Sequence, residues 1–161
     1  MICDMSGKVV LVTGASQGLG ETIAVEFGRV RADVVVNYGS QKEKAEKVAE
    51  KIRAFGQKAM PFKCNVADSA EVKEMIAHTL KEFGRIDVLV NNAAVNPKRP
   101  EGKTRIYDIS DEEYRRVMDI NLKGTFNCMR EVLKVMLQQK SGSIVNISST
   151  SGHTGNGAPV G

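Results

Sequence analysis

No apolar run in the 161 residues approaches the roughly 18 needed to cross a bilayer, so a membrane-embedded protein is not expected. The opening MICDMSGK lacks the basic and apolar regions of a secretory signal. Cysteine is scarce. Cys3, Cys64 and Cys128 are odd in number and far apart, which fits reduced thiols in a cytoplasmic protein better than a disulfide frame. No cluster of Cys, His and carboxylates has metal-ligand spacing, so no metal is expected. Net charge is only +4, with neither a basic block nor an aromatic platform, which argues against a nucleic-acid partner. Lysines and glutamates are interleaved instead, as in QKEKAEKVAEKIR, the pattern of a solvated helix face. Linkers, internal repeats and low-complexity tracts are missing as well. Residues 1–161 therefore read as one domain with a real core.

What is present is an alternation of two hydrophobic periods. KVVLVT (Lys8–Thr13), DVVVNY (Asp33–Tyr38), KAMPFKCNV (Lys58–Val66), RIDVLVNN (Arg85–Asn92) and SIVNIS (Ser143–Ser148) read as five strands. Most are continuous apolar runs, as expected of parallel strands covered on both faces. Between them, Ala45, Val48, Ala49, Ile52 and Phe55 recur at helical spacing, as do Val72, Met75, Ile76, Leu80 and Phe83. Ser40 with Glu43, Asp68 with Glu71, and Ser110 with Glu113 have capping-box spacing. Strand–helix repetition with short links predicts an α/β fold with a parallel sheet. A long helical pattern from about Asp111 to Gln139 carries two poor helix residues inside it, Asn121 and Gly124. They mark either a local bend and close helix contact, or a side chain placed for chemistry.

VTGASQGLGETIAVEFG joins the first strand to the first helix. Gly14, Gly18 and Gly20 fall where the chain turns and the helix begins. Glycine there lets backbone approach a phosphate, and the helix N-terminus offers free N–H groups and partial positive charge. Tight packing alone also selects glycine. Position at the first strand of a βαβ series favours dinucleotide binding. No Lys-Ser or Lys-Thr follows, so this is not a P-loop.

TGASQGLG (Thr13–Gly20) resembles the cofactor motif of the short-chain dehydrogenase/reductase family. NNAA (Asn91–Ala94) is similar to its Asn-Asn-Ala-Gly, MDINLKG carries its helix asparagine at Asn121, and GSIVNISSTSG resembles its fifth strand with the active-site serine at Ser149. Four motifs in order cover essentially the whole chain. The resemblance implies a doubly wound Rossmann sheet with five strands present of a larger one. It also implies hydride transfer between a nicotinamide and a small-molecule carbonyl or alcohol, most like 3-oxoacyl-[acyl-carrier-protein] reduction. A glucose-type sugar dehydrogenase is the alternative, or a non-catalytic cofactor-binding module if the chain is complete as given. A methyltransferase, which shares the sheet, lacks support in the second strand.

Carried over by the resemblance, Gly14, Ser16, Gln17, Gly18, Leu19 and Gly20 cradle the cofactor phosphates. Asn65 and Val66 reach the adenine, and Asn92 and Ala93 line the ribose side. Tyr38, Gly39 and Ser40 stand at the end of the second strand, where NAD enzymes place an acid on the ribose 2′-hydroxyl. Tyr38 is no acid, and Ser40 with Lys42 could contact a 2′-phosphate, so NADP(H) is favoured over NAD(H). Gln17 and Gly39 occupy places where NADP-binding relatives often carry Arg. Ser149, with Ser148 as competitor, holds the substrate oxygen, and Asn121 bends its helix and supports a proton relay. His153 reads as a polar loop residue. Ala94 replaces the family glycine. Arg31 stands where relatives have glycine, at a cost of about 1 kcal/mol if φ is positive there. The link VNPKRPEGKTRIYDIS is expected over the substrate site.

The family's proton donor is a Tyr in a Tyr-x-x-x-Lys sequence on the next helix, at a spacing that places it just after Gly161. None of Tyr38, Tyr107 and Tyr114 is read as that residue. The chain is therefore expected to be the N-terminal part of the domain, inactive alone. The full-length form is expected to be a homotetramer or homodimer.

Overall fold

The computed structural model describes residues 4–96 and 106–149. Five parallel strands, β1 (Val9–Val12), β2 (Asp33–Tyr38), β3 (Ala59–Lys63), β4 (Val88–Asn91) and β5 (Ser143–Asn146), lie in the order β3-β2-β1-β4-β5. This is the doubly wound order, with reversal between β1 and β4. The register sets Val10 beside Val34 on one side and Val88 on the other. Helices α1 (Gly18–Arg29), α2 (Lys42–Arg53), α3 (Ser69–Phe83), α4 (Asp111–Met118) and α5 (Gly124–Gln139) complete the fold, with a short 3-10 turn at Ile106–Asp108.

Alternation along each strand builds two cores, one on each face of the sheet. Val10, Val12, Val34, Val36, Val88 and Val90 pack with Ala24, Ala45, Val48 and Ile52 of α1 and α2. Leu11, Val35 and Leu89 pack with Val72, Met75, Cys128 and Val132 of α3 and α5. Among the described residues, no helix is long and apolar enough to cross a membrane.

Several local expectations are corrected. The third and fourth strands are shorter than their apolar runs: β3 ends at Lys63 and β4 begins at Val88, although Cys64 N–H still bonds Tyr38 O and Asp87 N–H still bonds Val9 O. Phe55 lies beyond α2 and is exposed. Asp68 does cap α3, accepting from the N–H groups of Ala70 and Glu71, and Ser110 caps α4, accepting from Glu113 N–H. Ser40 does not cap α2: its N-cap is Gln41, so Glu43 falls one position early for the box. The long pattern is broken by a π turn at Asp119–Lys123. Arg31 holds φ at +76°, the left-handed region, and its guanidinium pairs with Asp4.

Candidate active site

The site grows from the carboxyl end of β1. Thr13 is buried, and its Oγ1 accepts from the N–H groups of Asn92 (2.9 Å) and Ala93 (3.0 Å) while donating to Val90 O (3.3 Å). This one hydroxyl ties β1 to the exit of β4. Gly14 turns the chain at φ +63°, where a Cβ would stand 2.8 Å from Ala93 Cα. A Cβ on Gly20 would fall on Asn92 Nδ2 and Gly14 O. These two glycines are required by packing within the protein. Gly18 differs: φ is +60°, and nothing lies within 4 Å of its missing Cβ. The α1 N-terminus begins there, and its N-cap Gln17 makes no side-chain cap. Open space before uncapped helix N–H groups fits a phosphate.

Side-chain amides hold the walls together. Asn92 Nδ2 donates to Thr13 O (2.9 Å) and Gly14 O (3.2 Å), so Asn92 secures the loop from behind. Asn37, 1 % exposed, accepts from Gly14 N–H (3.1 Å) and donates to Cys64 O (3.0 Å). Asn127 of α5 donates to Val66 O (3.0 Å) and Ala67 O (3.3 Å). Neither Asn37 nor Asn127 was among the expected site residues. The available signal was an amide inside an otherwise apolar strand, VVVNY, since a buried polar group needs partners.

Between these walls lies a cleft of about 400 Å³, lined in part by Gly14, Gly39, Ser40, Asn65, Val66 and Ala93. Six of the expected cofactor residues thus meet there, and Asn37 joins them. Ser16, Gln17, Gly18, Leu19 and Gly20 form the loop and first turn of α1. Two larger hollows, about 490 and 470 Å³, lie against Arg53 and Pro61 and against Leu133 and Ile144. They gather no expected site residue, so chemistry locates the site better than volume does. Asn65 makes an Asx turn, its Oδ1 accepting from Ala67 N–H, and Val66 is largely core. Burial pushes the Cys64 thiol up to about 12, with Cys128 adding to it, and the same cause acts on Cys128. Neither is a thiolate nucleophile.

Tyr38 is placed differently from its expected role. Its side chain is 7 % exposed and packs in the core under α1 and α2, so what it gives the rim is the lack of a carboxylate. Tyr38 and Lys42 do stand four residues apart, but one ends β2 and the other begins α2, so they do not form a helical Tyr-x-x-x-Lys pair.

On the other side, the π turn presents Asn121. Its side-chain amide copies a strand partner: Oδ1 accepts from Val95 N–H (2.8 Å) and Nδ2 donates to Val95 O (3.0 Å). Arg116 Nη2 adds a bond to Asn96 O (2.6 Å). The π turn thereby fixes the segment leaving β4, and π turns are frequent at functional sites. Ser149 follows β5 at the same, carboxyl end of the sheet, where Ile147 N–H still bonds Asn91 O. His153 and most of the VNPKRPEGKTRIYDIS link, residues 97–105, lie outside the described residues.

The chain matches the family of short chain dehydrogenases over residues 8–159. It belongs to the short-chain dehydrogenase family. It is 44 % identical over 149 residues to a 3-oxoacyl-[acyl-carrier-protein] reductase of Staphylococcus aureus, an overlap of 92 % of this chain and 58 % of that protein. A 3-oxoacyl-[acyl-carrier-protein] reductase of Synechocystis is 41 % identical over 152 residues, or 94 % and 60 % of the two chains. The chain therefore spans less than two thirds of the length of these relatives. Among solved short-chain dehydrogenases, one from Mycobacterium marinum superposes with a TM-score of 0.88 at 31 % identity, covering 98 % of this chain and 62 % of that one. A metagenomic short-chain oxidoreductase in complex with NADP gives 0.83 at 34 %, covering 90 % and 63 %. NAD+-bound xylitol dehydrogenase gives 0.86 at 29 %, covering 94 % and 56 %.

Proposed function

We propose that the protein is an oxidoreductase that moves a hydride between a nicotinamide cofactor and a carbonyl or alcohol, with 3-oxoacyl thioesters as substrate class and NADP(H) preferred. The observation that carries this reading is the open Gly18 turn in front of the uncapped α1 N-terminus, beside a cleft held by Asn37 and Asn92. The bound cofactor would supply or accept the hydride. The chain's own residues do the rest. The first-turn N–H groups of α1 receive the pyrophosphate. Asn65 and Val66 border the adenine end, and Asn92 and Ala93 the ribose side. Asn121 fixes the Val95 segment, which positions the floor near the reacting carbon. The Ser149 hydroxyl donates to the substrate oxygen and orients the carbonyl.

The relatives that reduce 3-oxoacyl-[acyl-carrier-protein] support the substrate class. The solved relatives include both an NADP complex and an NAD+ complex, so the preference for NADP(H) rests on Tyr38 standing where an acid would reject a 2′-phosphate. A row of exposed apolar side chains along α4, the π turn and α5, among them Tyr114, Leu122 and Phe126, supports a homodimer or homotetramer.

The test is NADPH oxidation with acetoacetyl thioesters and small ketones, run on a polypeptide of the relatives' full length. Thioester-dependent oxidation is expected; none with any carbonyl would overturn the proposal. The 161-residue chain alone should turn over at least about 10²-fold more slowly, the usual contribution of a matched general acid.

A further inference from the structure

The facing sides of α1 and α2 are bridged twice. Lys51 Nζ meets Glu21 Oε1 at 2.7 Å, and Lys44 Nζ donates to Gln17 Oε1, also at 2.7 Å. Gln17 and Glu21 are one helical turn apart on α1, and Lys44 and Lys51 are two turns apart on α2, so the bridges are rungs of one ladder. They differ in charge. The inner rung pairs an ammonium with a carboxylate and is neutral. The outer rung pairs an ammonium with a neutral amide and keeps a full positive charge.

That outer rung stands at the glycine loop. Gln17 is the N-cap of α1, next to the open Gly18 turn. Lys44 lines a hollow of about 290 Å³ with Ser40, Gln41, Lys42 and Glu43, so two ammonium groups face one carboxylate there, and Ser40 also lines the 400 Å³ cleft. The residue that ends β2 is a buried tyrosine, so no carboxylate is supplied from the strand end. In a doubly wound sheet, the ribose 2′-position of a dinucleotide faces that strand end.

We propose that Lys44, held over the glycine loop by Gln17, is the residue that selects a 2′-phosphorylated dinucleotide. Lys44 is exposed and reaches across the gap between two walls, so a phosphate entering there takes up the ammonium's remaining donors. An acid at position 17 would cancel the charge, as Glu21 does for Lys51. The inference rests on the proposed nicotinamide cofactor.

Binding, not turnover, tests it. NADPH, NADH, adenosine 2′,5′-bisphosphate and adenosine 5′-monophosphate are titrated calorimetrically into the protein and its Lys44→Met, Lys44→Arg and Gln17→Glu variants. The wild type should prefer NADPH. Lys44→Met should weaken NADPH and the bisphosphate about tenfold and leave NADH and the monophosphate unchanged. Lys44→Arg should retain the preference, and Gln17→Glu should erode it. Unchanged NADPH affinity in Lys44→Met, or an equal loss for both dinucleotides, overturns the role of Lys44 while the cofactor reading stands. A wild type that prefers NADH overturns the role of Lys44 and the NADP(H) preference but leaves a nicotinamide cofactor, whereas one that binds neither dinucleotide removes the cofactor reading too.

Discussion

Thr13 shows how much one hydroxyl can hold. Valine has its shape and neither its donor nor its acceptor. Thr13→Val leaves the N–H groups of Asn92 and Ala93 without the oxygen they share, inside a part-buried corner. Leaving two such donors unmet costs about 2–4 kcal/mol, so the urea midpoint should fall markedly and nucleotide affinity with it. An unchanged midpoint would mean that other acceptors replace the hydroxyl. Asp87 acts at the opposite end of the sheet. Burial would raise its carboxyl, but hydrogen bonds from Arg85, Val9 N–H and Lys8 outweigh that and hold it below the usual carboxylate range. A depressed folded pKa stabilises the fold above the unfolded value, near 4, and that contribution is lost as pH falls through the lower folded value. Asp87→Asn should therefore lower stability at pH 7 and flatten its decline below about pH 4. Denaturation midpoints between pH 2.5 and 7 would show whether the two curves converge in acid.

At the scale of elements, Gly124 of α5 sits against Val66. A Cβ there would stand 2.5 Å from Val66 Cγ2. Gly124→Ala gains helix propensity but overpacks this contact, at about 1–3 kcal/mol. Val66 lines the cleft, so adenine-nucleotide affinity should fall as well; calorimetric titration with adenosine 5′-monophosphate reads it, and equal affinity would show that Val66 can move without harm. The sequence disclosed β2 at its observed limits because its β-branched run Val34–Val36 is followed closely by the turn residues Gly39 and Ser40. It disclosed α3 with its Asp68 cap for similar reasons: local chemistry decides both. It flagged Asn121 and Gly124 as misfits in one helix. It did not reveal that the helix widens into a π turn at the first while the second only makes room for a neighbour. That difference depends on Val95 and Val66, distant in sequence. The unexpected amides, Asn37 and Asn127, escaped for the same reason, since their partners come from other strands and loops.

At the scale of the molecule, β5 is a sheet edge among the described residues, and Val145 within it and Ile147 just after it are exposed. Leu137 of α5 is 74 % exposed and Leu133 is close by on the same helix. An edge with unpaired backbone groups beside apolar side chains invites pairing with another chain. A preparation of the 161 residues should accordingly show a mass that rises with concentration in light scattering; a constant monomer mass over a hundredfold range would contradict this. The interior of the cleft behaves otherwise. Its walls are joined by Asn37, Asn92, Asn121 and Asn127, all neutral groups without a proton to gain or lose near neutrality. Neither acidity nor ionic strength in the ordinary range can loosen such fastenings. The receptacle should keep one shape in any cellular buffer, so that whatever salt dependence ligand capture shows belongs to the ligand's charge and to Lys44, and not to the walls.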